Sequence, residues 1–559
     1  MKELKKYSLF FLMLATVACK KEKTDFAYDN RTVTDTRKSS SLRIVNLAGY
    51  NQVQVNGDTL TNYVVRGIND PMAGKYPGTL FFPDNGRLGT TWSIPQQLLN
   101  NGAAKVLLET RSYAFEGKPV ILDVKEEIRE GVDYYLLPTK DLGVTGQPEF
   151  VKVPRSVAPP VNPSNFKIRI LNLSASVLPD QNMENLLGPM SLSWADGTSV
   201  SSKTNNIQPG QYSEYIEVPY GTNQFKVLTQ TGIQVPGVGP DVLNAATSTI
   251  FGTTLSYAPI KTYAPGGVYT IVVAARLFSI PYLAGNPGET VTGYQNGFRI
   301  INDISEPVNL SYGRLQAVNA MPGNNGMQVS VNGNLLDKTI DYTAHTEQAR
   351  FLIGNYQVEA KNAAGAVIAT TNFKLDPNTS HTFWVYPDVN GKAAIAVVAN
   401  DLSGVYVDPA TDDASYSRWK QDFPFAIRFL NLCPDMPYLT LTTNNAQAFP
   451  SVFGFNTSAV NNLKPGVIPI EYPYVRPFTE AKPYQIMAFR SSPSVIPGTW
   501  ASDIPVLTGR DLIARPELYV RGELPNHEPG FYTIALVGSA KSSANPAEKA
   551  KMIIVKHSK

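Results

Sequence analysis

Four stretches of this chain resemble one another, and the elements that follow each of them recur in the same order. Each stretch is a short apolar run that reaches an asparagine and then a turn. An asparagine suits this place because its side chain can bond the neighbouring backbone where a strand ends. A chain with such repeats folds as a series of similar units rather than around one large core. The stretches are LRIVNLAG with Asn46, KIRILNLSAS with Asn172, RLQAVNAMPG with Asn319 and AIRFLNLCPD with Asn431.

The elements after each asparagine are typical of β-strands. A second strand alternates into Asn-Gly at Asn56 and Asn332 and into Asp-Gly at Asp196, which are strong hairpin signals, and the fourth repeat has a weaker turn. A strand opened by glycine in three repeats, an aromatic strand and a last apolar strand complete each repeat. The aromatic strands are GVDYYLLPT, GGVYTIVVA, SHTFWVYPD and PGFYTIALV.

The composition agrees with an all-β chain. Glycine (41), proline (42), tyrosine (28) and phenylalanine (24) are plentiful, whereas charged residues make up 17%. Aromatic and β-branched runs interrupted by proline and glycine are typical of β-sandwiches. We predict tandem β-sandwich domains over residues 42–157, 165–307, 312–405 and 424–559. Only SEPVNLSYG separates the second and third repeats, so we expect these two to pack as a pair.

Parts of the third and fourth repeats resemble a known family. NLCPDMPYLTLTTNN, LIGNYQVEAKN and GFYTIALVG are similar to the domain of unknown function numbered 4397, which occurs in lipoproteins of Bacteroidetes-type bacteria. The resemblance covers most of the chain in register and is best in these two repeats. It implies immunoglobulin-like sandwiches on a secreted, often lipid-anchored protein. The family has no established activity, so no functional residue is carried over.

The first residues predict export. Three lysines precede an apolar run from Leu9 to Ala18 that is too short to span a bilayer, which needs about 20 residues. This is the pattern of a signal peptide, here residues 1–18. Ala18 followed by Cys19 resembles a bacterial lipoprotein signal, which implies cleavage between them and acylation of Cys19, including with palmitate. Residues 19–41 then form a polar tether.

Charge and hydropathy limit the partners. The net charge of +3 gives no support to nucleic acid as a partner. The lysines after Cys19 resemble those of lipoproteins sent to the outer membrane or cell surface. The apolar run GVYTIVVAARLF at Gly267 is predicted to be a strand. We expect attachment to a membrane through lipid and a protein or glycan partner, and the sequence leaves the oligomeric state open.

Residue patterns for chemistry are scarce. The four histidines lack the spacing of metal ligands, and no nucleophile elbow or phosphate-binding glycine loop occurs. Cys433 is interpreted as a small buried apolar residue. We therefore expect no enzyme, no metal site and no required cofactor. A hydrolase with two carboxylates is an alternative that only geometry can test.

Four tyrosines are the candidate ligand-binding residues. They lie in QYSEYIEVPYG and IEYPYVRPF, near loops, and they are Tyr212, Tyr215, Tyr472 and Tyr474. Exposed rings can stack on sugars or anchor protein interfaces, although tyrosines in β-sheets mostly pack across strands. The sequence thus favours a non-catalytic binding or scaffold lipoprotein. The alternative is a glycan-binding lipoprotein of a polysaccharide-uptake system.

Overall fold

The fold is built from β-strands. The computed structural model describes residues 39–61, 88–112, 115–116, 118–127, 130–138, 144–156, 158–177, 186–237, 243–245, 255–258, 261–263, 265–281, 290–304, 311–377, 379–400, 425–449, 457–470, 473–475, 483–519, 524–541 and 543–559. Within these ranges there is no α-helix, and none of their helical turns could cross a membrane. The helical turns are short 3₁₀ segments: Gln96–Leu98, Ser202–Thr204, Thr457–Ala459, Gly509–Leu512, Pro516–Leu518 and Pro546–Glu548.

The strands of the first two repeats are numbered in chain order. Those of the first repeat are β1 (Ser39–Asn46), β2 (Gln52–Val55), β3 (Asp58–Thr59), β4 (Thr91–Pro95), β5 (Ala103–Glu109), β6 (Arg111–Ser112), β7 (Phe115–Glu116), β8 (Val120–Lys125), β9 (Gly131–Leu136), β10 (Val144–Thr145) and β11 (Phe150–Arg155). Those of the second are β12 (Asn165–Leu173), β13 (Ser176–Val177), β14 (Met190–Trp194), β15 (Gln211–Tyr212), β16 (Ile216–Pro219), β17 (Gly221–Asn223), β18 (Phe225–Thr229), β19 (Leu243–Ala245), β20 (Leu255–Tyr257), β21 (Lys261–Tyr263), β22 (Val268–Pro281) and β23 (Thr290–Ile304).

The remaining strands belong to the third and fourth repeats. Those of the third are β24 (Tyr312–Asn319), β25 (Gln328–Val331), β26 (Asn334–Leu335), β27 (Ala349–Leu352), β28 (Gly354–Lys361), β29 (Val367–Leu375), β30 (Ser380–Pro387) and β31 (Ala393–Ala399). Those of the fourth are β32 (Phe425–Asn431), β33 (Leu439–Thr443), β34 (Tyr474–Val475), β35 (Gln485–Ser492), β36 (Val495–Trp500), β37 (Leu507–Thr508), β38 (Gly530–Val537) and β39 (Lys551–Lys556).

All four repeats share one sheet topology. In each, the first strand lies in the middle of a sheet, which we call the inner sheet, and pairs in parallel with the aromatic strand. The parallel pairs are β1–β9, β12–β22, β24–β30 and β32–β38, and the last strand of the repeat pairs with the aromatic strand on its other side. A second, outer sheet contains the hairpin strands, in the orders β3-β2-β5-β8, β14-β18, β26-β25-β28-β29 and β33-β35-β36.

Each repeat has its own apolar core between these two sheets. In the first repeat, Leu42 and Ile44 of the inner sheet pack in one cluster with Val53 and Val106 of the outer sheet. The other three repeats have corresponding clusters. The first strands are buried on both faces, which is why they appear in the sequence as nearly continuous apolar runs.

The predicted roles of asparagine and of the hairpin turns are confirmed. All four asparagines are buried, and each side-chain oxygen accepts from a backbone amide two or four residues further on. Their amide groups donate to carbonyls of the same repeat; Asn431 donates to Met436 (2.7 Å) in the following loop and to Leu463 (2.9 Å) beyond β33. Asn56 and Asn332 have φ values of 53° and 46°, and a glycine with positive φ follows each, as Asn-Gly hairpins require.

The repeats are joined in a different way from that expected. A buried apolar cluster formed by the outward faces of two inner sheets joins the first repeat to the second, and another joins the third to the fourth. The second and third repeats meet through polar contacts such as Arg314 Nη1 to Thr222 Oγ1 (2.5 Å). The expectation that these two form the packed pair is therefore wrong, because a short connection does not determine which faces are apolar. The second repeat also contacts the fourth: the amide of Lys559 donates to the carbonyl of Thr222 (3.1 Å).

Candidate functional site

Each inner sheet carries three polar side chains on the face that meets its partner repeat, and we call these three an interface triad. The first member lies three residues before the buried asparagine. The second is its parallel partner on the aromatic strand, and the third lies at the end of the last strand. The triads are Arg43–Asp133–Arg155, Arg169–Thr270–Asp303, Gln316–Thr382–Asn400 and Arg428–Thr533–His557.

The first two triads form one ionic network between repeats one and two. Arg43 binds both oxygens of Asp133, at 2.9 and 2.5 Å, and its Nη2 also donates to Asp303 of the second repeat at 2.5 Å. Arg155 Nε donates to Asp133 at 2.9 Å. Both carboxylates are completely buried, so the network lies inside the interface.

Burial and the neighbouring charges shift the pKa values of the side chains in this network. Burial opposes the charge of Arg43, but attraction to Asp133 and the bond to its carboxylate outweigh burial, so the pKa of Arg43 is raised. For Tyr215, by contrast, burial itself raises the pKa, and the charge of Asp303 adds to that effect. Arg169 completes the network by donating to the Thr270 hydroxyl at 2.9 Å.

In the other two triads, neutral side chains form a hydrogen-bond chain, and Arg428 is the one charged member. His557 Nδ1 lies 3.3 Å from Gln316 Oε1, and its Nε2 lies 2.8 Å from the Thr533 hydroxyl. Because the amide oxygen can only accept, the network assigns the proton to Nδ1. Burial, followed by the charge of Arg428, holds the pKa of His557 well below its usual value. Arg428 donates to the Tyr474 hydroxyl at 3.0 Å.

The predicted tyrosines fall into different environments. Tyr212 is 44% exposed, with the Arg169 guanidinium 5.2 Å from its ring. Tyr215 is half-buried and donates to Asp303 at 2.8 Å. Tyr474 is 3% exposed and donates to the carbonyl of Asn400 at 3.1 Å, so the prediction of an exposed ring is wrong for it: the ring packs inside the interface between repeats three and four. Tyr472 lies outside the described residues.

The two cysteines and the signal cleavage site have separate outcomes. Cys433 is buried, and its thiol donates to Asp435 Oδ1 at 3.0 Å, which confirms the interpretation of a buried residue. Burial, together with the Asp435 carboxylate, raises the pKa of the thiol to about 12. Ala18 and Cys19 lie outside the described residues. Among the residues that are described, no three His, Cys, Asp or Glu side chains group as metal ligands would.

A cleft of about 550 Å³ opens on the fourth repeat. It lies where the turn after β33, the start of β35, the segment from Thr508 to Arg510 and residues 524–526 come together. Its lining is mostly amide, hydroxyl and proline side chains: Asn444, Asn445, Pro483, Tyr484, Gln485, Thr508, Gly509, Arg510, Leu524, Pro525 and Asn526. This size lies within the range of small-molecule sites, about 300–1,000 Å³.

Aromatic rings pack behind Tyr484, which is one of the residues that line this cleft. The Tyr484 hydroxyl lies 3.2 Å from His527 Nδ1, and the His527 ring stacks on Phe425 with 3.7 Å between centroids. Gly509 lies so close to Asn526 that an added Cβ would overlap the carbonyl oxygen of that residue. The segments that carry Gly509 and Asn526 therefore approach each other closely at the cleft, and no side chain fits at position 509.

Sequence reasoning missed both of these features. The triads had a signal, since the residue three positions before each asparagine is polar in all four repeats: Arg43, Arg169, Gln316 and Arg428. A polar residue at one fixed place in an apolar strand indicates a shared buried contact. The cleft had no such signal, because four separate segments supply its lining.

No protein-family model matches this chain, and no curated protein is similar to it. The resemblance to the domain of unknown function therefore stays a prediction.

Proposed function

We propose that this chain is an exported lipoprotein, anchored in the outer membrane or at the cell surface through Cys19, that acts as a non-catalytic binding or scaffold protein. One observation carries the scaffold part of the proposal. The inner sheets of all four repeats are covered by a partner repeat through shared apolar clusters, which leaves exposed positions on the outer sheets of the first and third repeats for other molecules. Sheets packed in this way hold binding loops at fixed distances.

The finer assignment is four tandem immunoglobulin-like sandwich domains. The arrangement of two sheets around one core in each repeat supports it. The parallel pairing in the inner sheets departs from a purely antiparallel sandwich, so the likeness concerns the layers rather than every strand.

Replacing Cys19 by serine tests the anchor. We expect the wild-type chain to fractionate with membranes and to incorporate labelled palmitate, and we expect Cys19→Ser to be soluble and unlabelled. Cys433→Ser is the matched control and should behave like the wild type. Membrane retention of unlabelled Cys19→Ser would contradict the lipid anchor.

Cross-linking in intact envelopes tests the binding function. We expect lysines of the outer sheets and loops, such as Lys338 and Lys392, to cross-link to one partner reproducibly. Cross-links confined to this chain would contradict a protein-binding role.

Glycan binding is the alternative, and the cleft of the fourth repeat, where carboxamides and one arginine stand beside prolines, is the observation that favours it. A glycan array probed with the soluble Cys19→Ser chain separates the two functions. Reproducible binding to a polysaccharide would favour the uptake role.

A further inference from the structure

Three side chains at the cleft of the fourth repeat have free hydrogen-bonding groups. The carboxamides of Asn445 and Gln485 and the guanidinium of Arg510 make no side-chain hydrogen bond or ion pair within the part of the chain that the structure describes. Gln485 and Arg510 are exposed, and Asn445 is held on its turn with a φ of 53°. These groups are therefore available to a ligand.

The polar groups around them are already bonded and hold the cleft in shape. The side-chain oxygen of Asn444 accepts from the amide of Gln485 at 2.7 Å. The Asp511 carboxylate accepts from both the amide and the hydroxyl of Thr508, at 2.6 and 2.8 Å. A ligand would thus meet a formed site and would not need to order these loops, which favours affinity.

The charge of the lining is one-sided. Arg510 is its single charged side chain among the described residues, so the cleft favours an anion. A guanidinium binds a carboxylate through two parallel hydrogen bonds. Carboxamides can donate and accept at once, which suits neighbouring hydroxyl groups. The two prolines, Leu524 and the buried Tyr484 add apolar surface, so the lining combines one positive charge, carboxamides and apolar faces.

We propose that this cleft binds an acidic saccharide, with Arg510 on the carboxylate and Asn445 and Gln485 on hydroxyls. The proposal rests on the binding function proposed above and names its ligand class. The prolines give the CH face of a sugar ring an apolar surface.

A matched pair of ligands tests the proposal in the full Cys19→Ser chain. The acidic probe is digalacturonic acid, and the neutral probe is the galactose disaccharide of the same linkage, both titrated by calorimetry. We expect the acidic probe to bind more tightly, and Arg510→Gln to weaken it by about 10–100-fold, as loss of a charged hydrogen bond implies. The same variant should leave affinity for the neutral probe unchanged, and Gln485→Ala should weaken both probes.

Two control variants separate the cleft from general surface effects. Arg515→Gln removes an exposed arginine outside the cleft, and Gln357→Ala removes an exposed glutamine on the outer sheet of the third repeat. Neither should change the affinity. Unchanged thermal unfolding of all four variants would show that the fold is intact.

Each remaining outcome overturns the proposal. If neither probe binds at concentrations up to about 10 mM, the weak end of measurable affinities, the proposal is overturned. The scaffold function would then still be tested separately, by the cross-linking experiment. Binding that Arg510→Gln and Gln485→Ala leave unchanged would place the saccharide elsewhere on the chain. Equal affinity for both probes would exclude the role of Arg510.

Discussion

Replacing Arg43 by methionine removes the positive charge that two completely buried carboxylates share. Asp133 belongs to the same repeat and keeps Arg155 as a partner. Asp303 belongs to the second repeat and keeps the hydroxyls of Tyr215 and Thr270, at 2.8 and 2.5 Å. Methionine preserves most of the arginine stem, so the change mainly removes charge.

The expected loss follows from these contacts. Breaking a buried ion pair by removing one partner costs about 3–5 kcal/mol, because the remaining charge is left buried. Asp303 loses its strongest partner across the interface, so we expect Arg43→Met to lower the free energy of unfolding of the first two repeats by about 4 kcal/mol.

Native-state hydrogen exchange is the assay, because a chain of several units does not unfold in one step. We expect faster exchange in β1 and β22 and unchanged exchange in β32. The control is Arg490→Met, which breaks an exposed pair with both oxygens of Asp503, each bond 2.7 Å, and should cost at most about 1 kcal/mol.

A double-mutant cycle with Asp303→Asn isolates the contact between the repeats. We expect a coupling of about 1–3 kcal/mol between Arg43→Met and Asp303→Asn. If Arg43→Met loses no more stability than Arg490→Met, or if the cycle shows no coupling, the ionic network does not hold the two repeats together.

Three further predictions concern the fourth repeat. Burial lowers the pKa of His527 from 6.5 to about 3, so the unfolded chain binds a proton in this range and the folded chain does not. His527 should therefore make this repeat less stable as the pH drops from 6.5 towards 3, by about 1.4 kcal/mol per pH unit for this one group, and the buried His557 adds a slope of the same sign. His527→Gln should reduce the total slope in urea unfolding, and an unchanged slope would contradict the assignment. Gly509→Ala should lower the free energy of unfolding by about 1–3 kcal/mol because its Cβ meets a backbone carbonyl, whereas Gly89→Ala, with open space around it, should stay within about 0.5 kcal/mol; equal effects would refute the close approach. Iodoacetamide should label Cys433 of the Cys19→Ser chain only after unfolding, because burial raises the pKa of its thiol to about 12, and labelling of the folded chain within minutes would be evidence against that burial.

The local features of the fold could be predicted from the sequence. The Asn-Gly turns at Asn56 and Asn332 determine their own geometry, and the four buried asparagines bind backbone within their own repeats. The turn geometry, and the bonds that each asparagine oxygen accepts from an amide two or four residues on, depend on neighbours along the chain, which the sequence shows directly.

The pairing of the repeats depends on information that the sequence pattern lacks. In β1, Ile44 faces the core of its own repeat and Val45 faces the second repeat, yet both are simply apolar. A strand buried on both faces has no period-2 signal to distinguish its two neighbours. The prediction of an exposed ring at Tyr474 fails for the same reason, since this side chain occupies an interface that no motif indicates.

The parallel strand pairs also affect the order in which the chain can fold. In the inner sheets, the first paired residue of each first strand meets a partner 66 to 105 residues further along, as in Arg314 with Ser380 and Phe425 with Gly530. Contacts between residues so far apart in the sequence close slowly, because the intervening loop loses entropy before the contact forms. While a chain is being synthesised or translocated from its N-terminus, each first strand therefore cannot pair with the aromatic strand of its repeat until most of that repeat has emerged. The outward face of the inner sheet in the first or third repeat stays uncovered for longer, until the next repeat has folded against it. The unit of folding in this protein is thus a pair of repeats. Whenever only the first repeat of a pair has folded, the apolar outward face of its inner sheet is exposed to solvent.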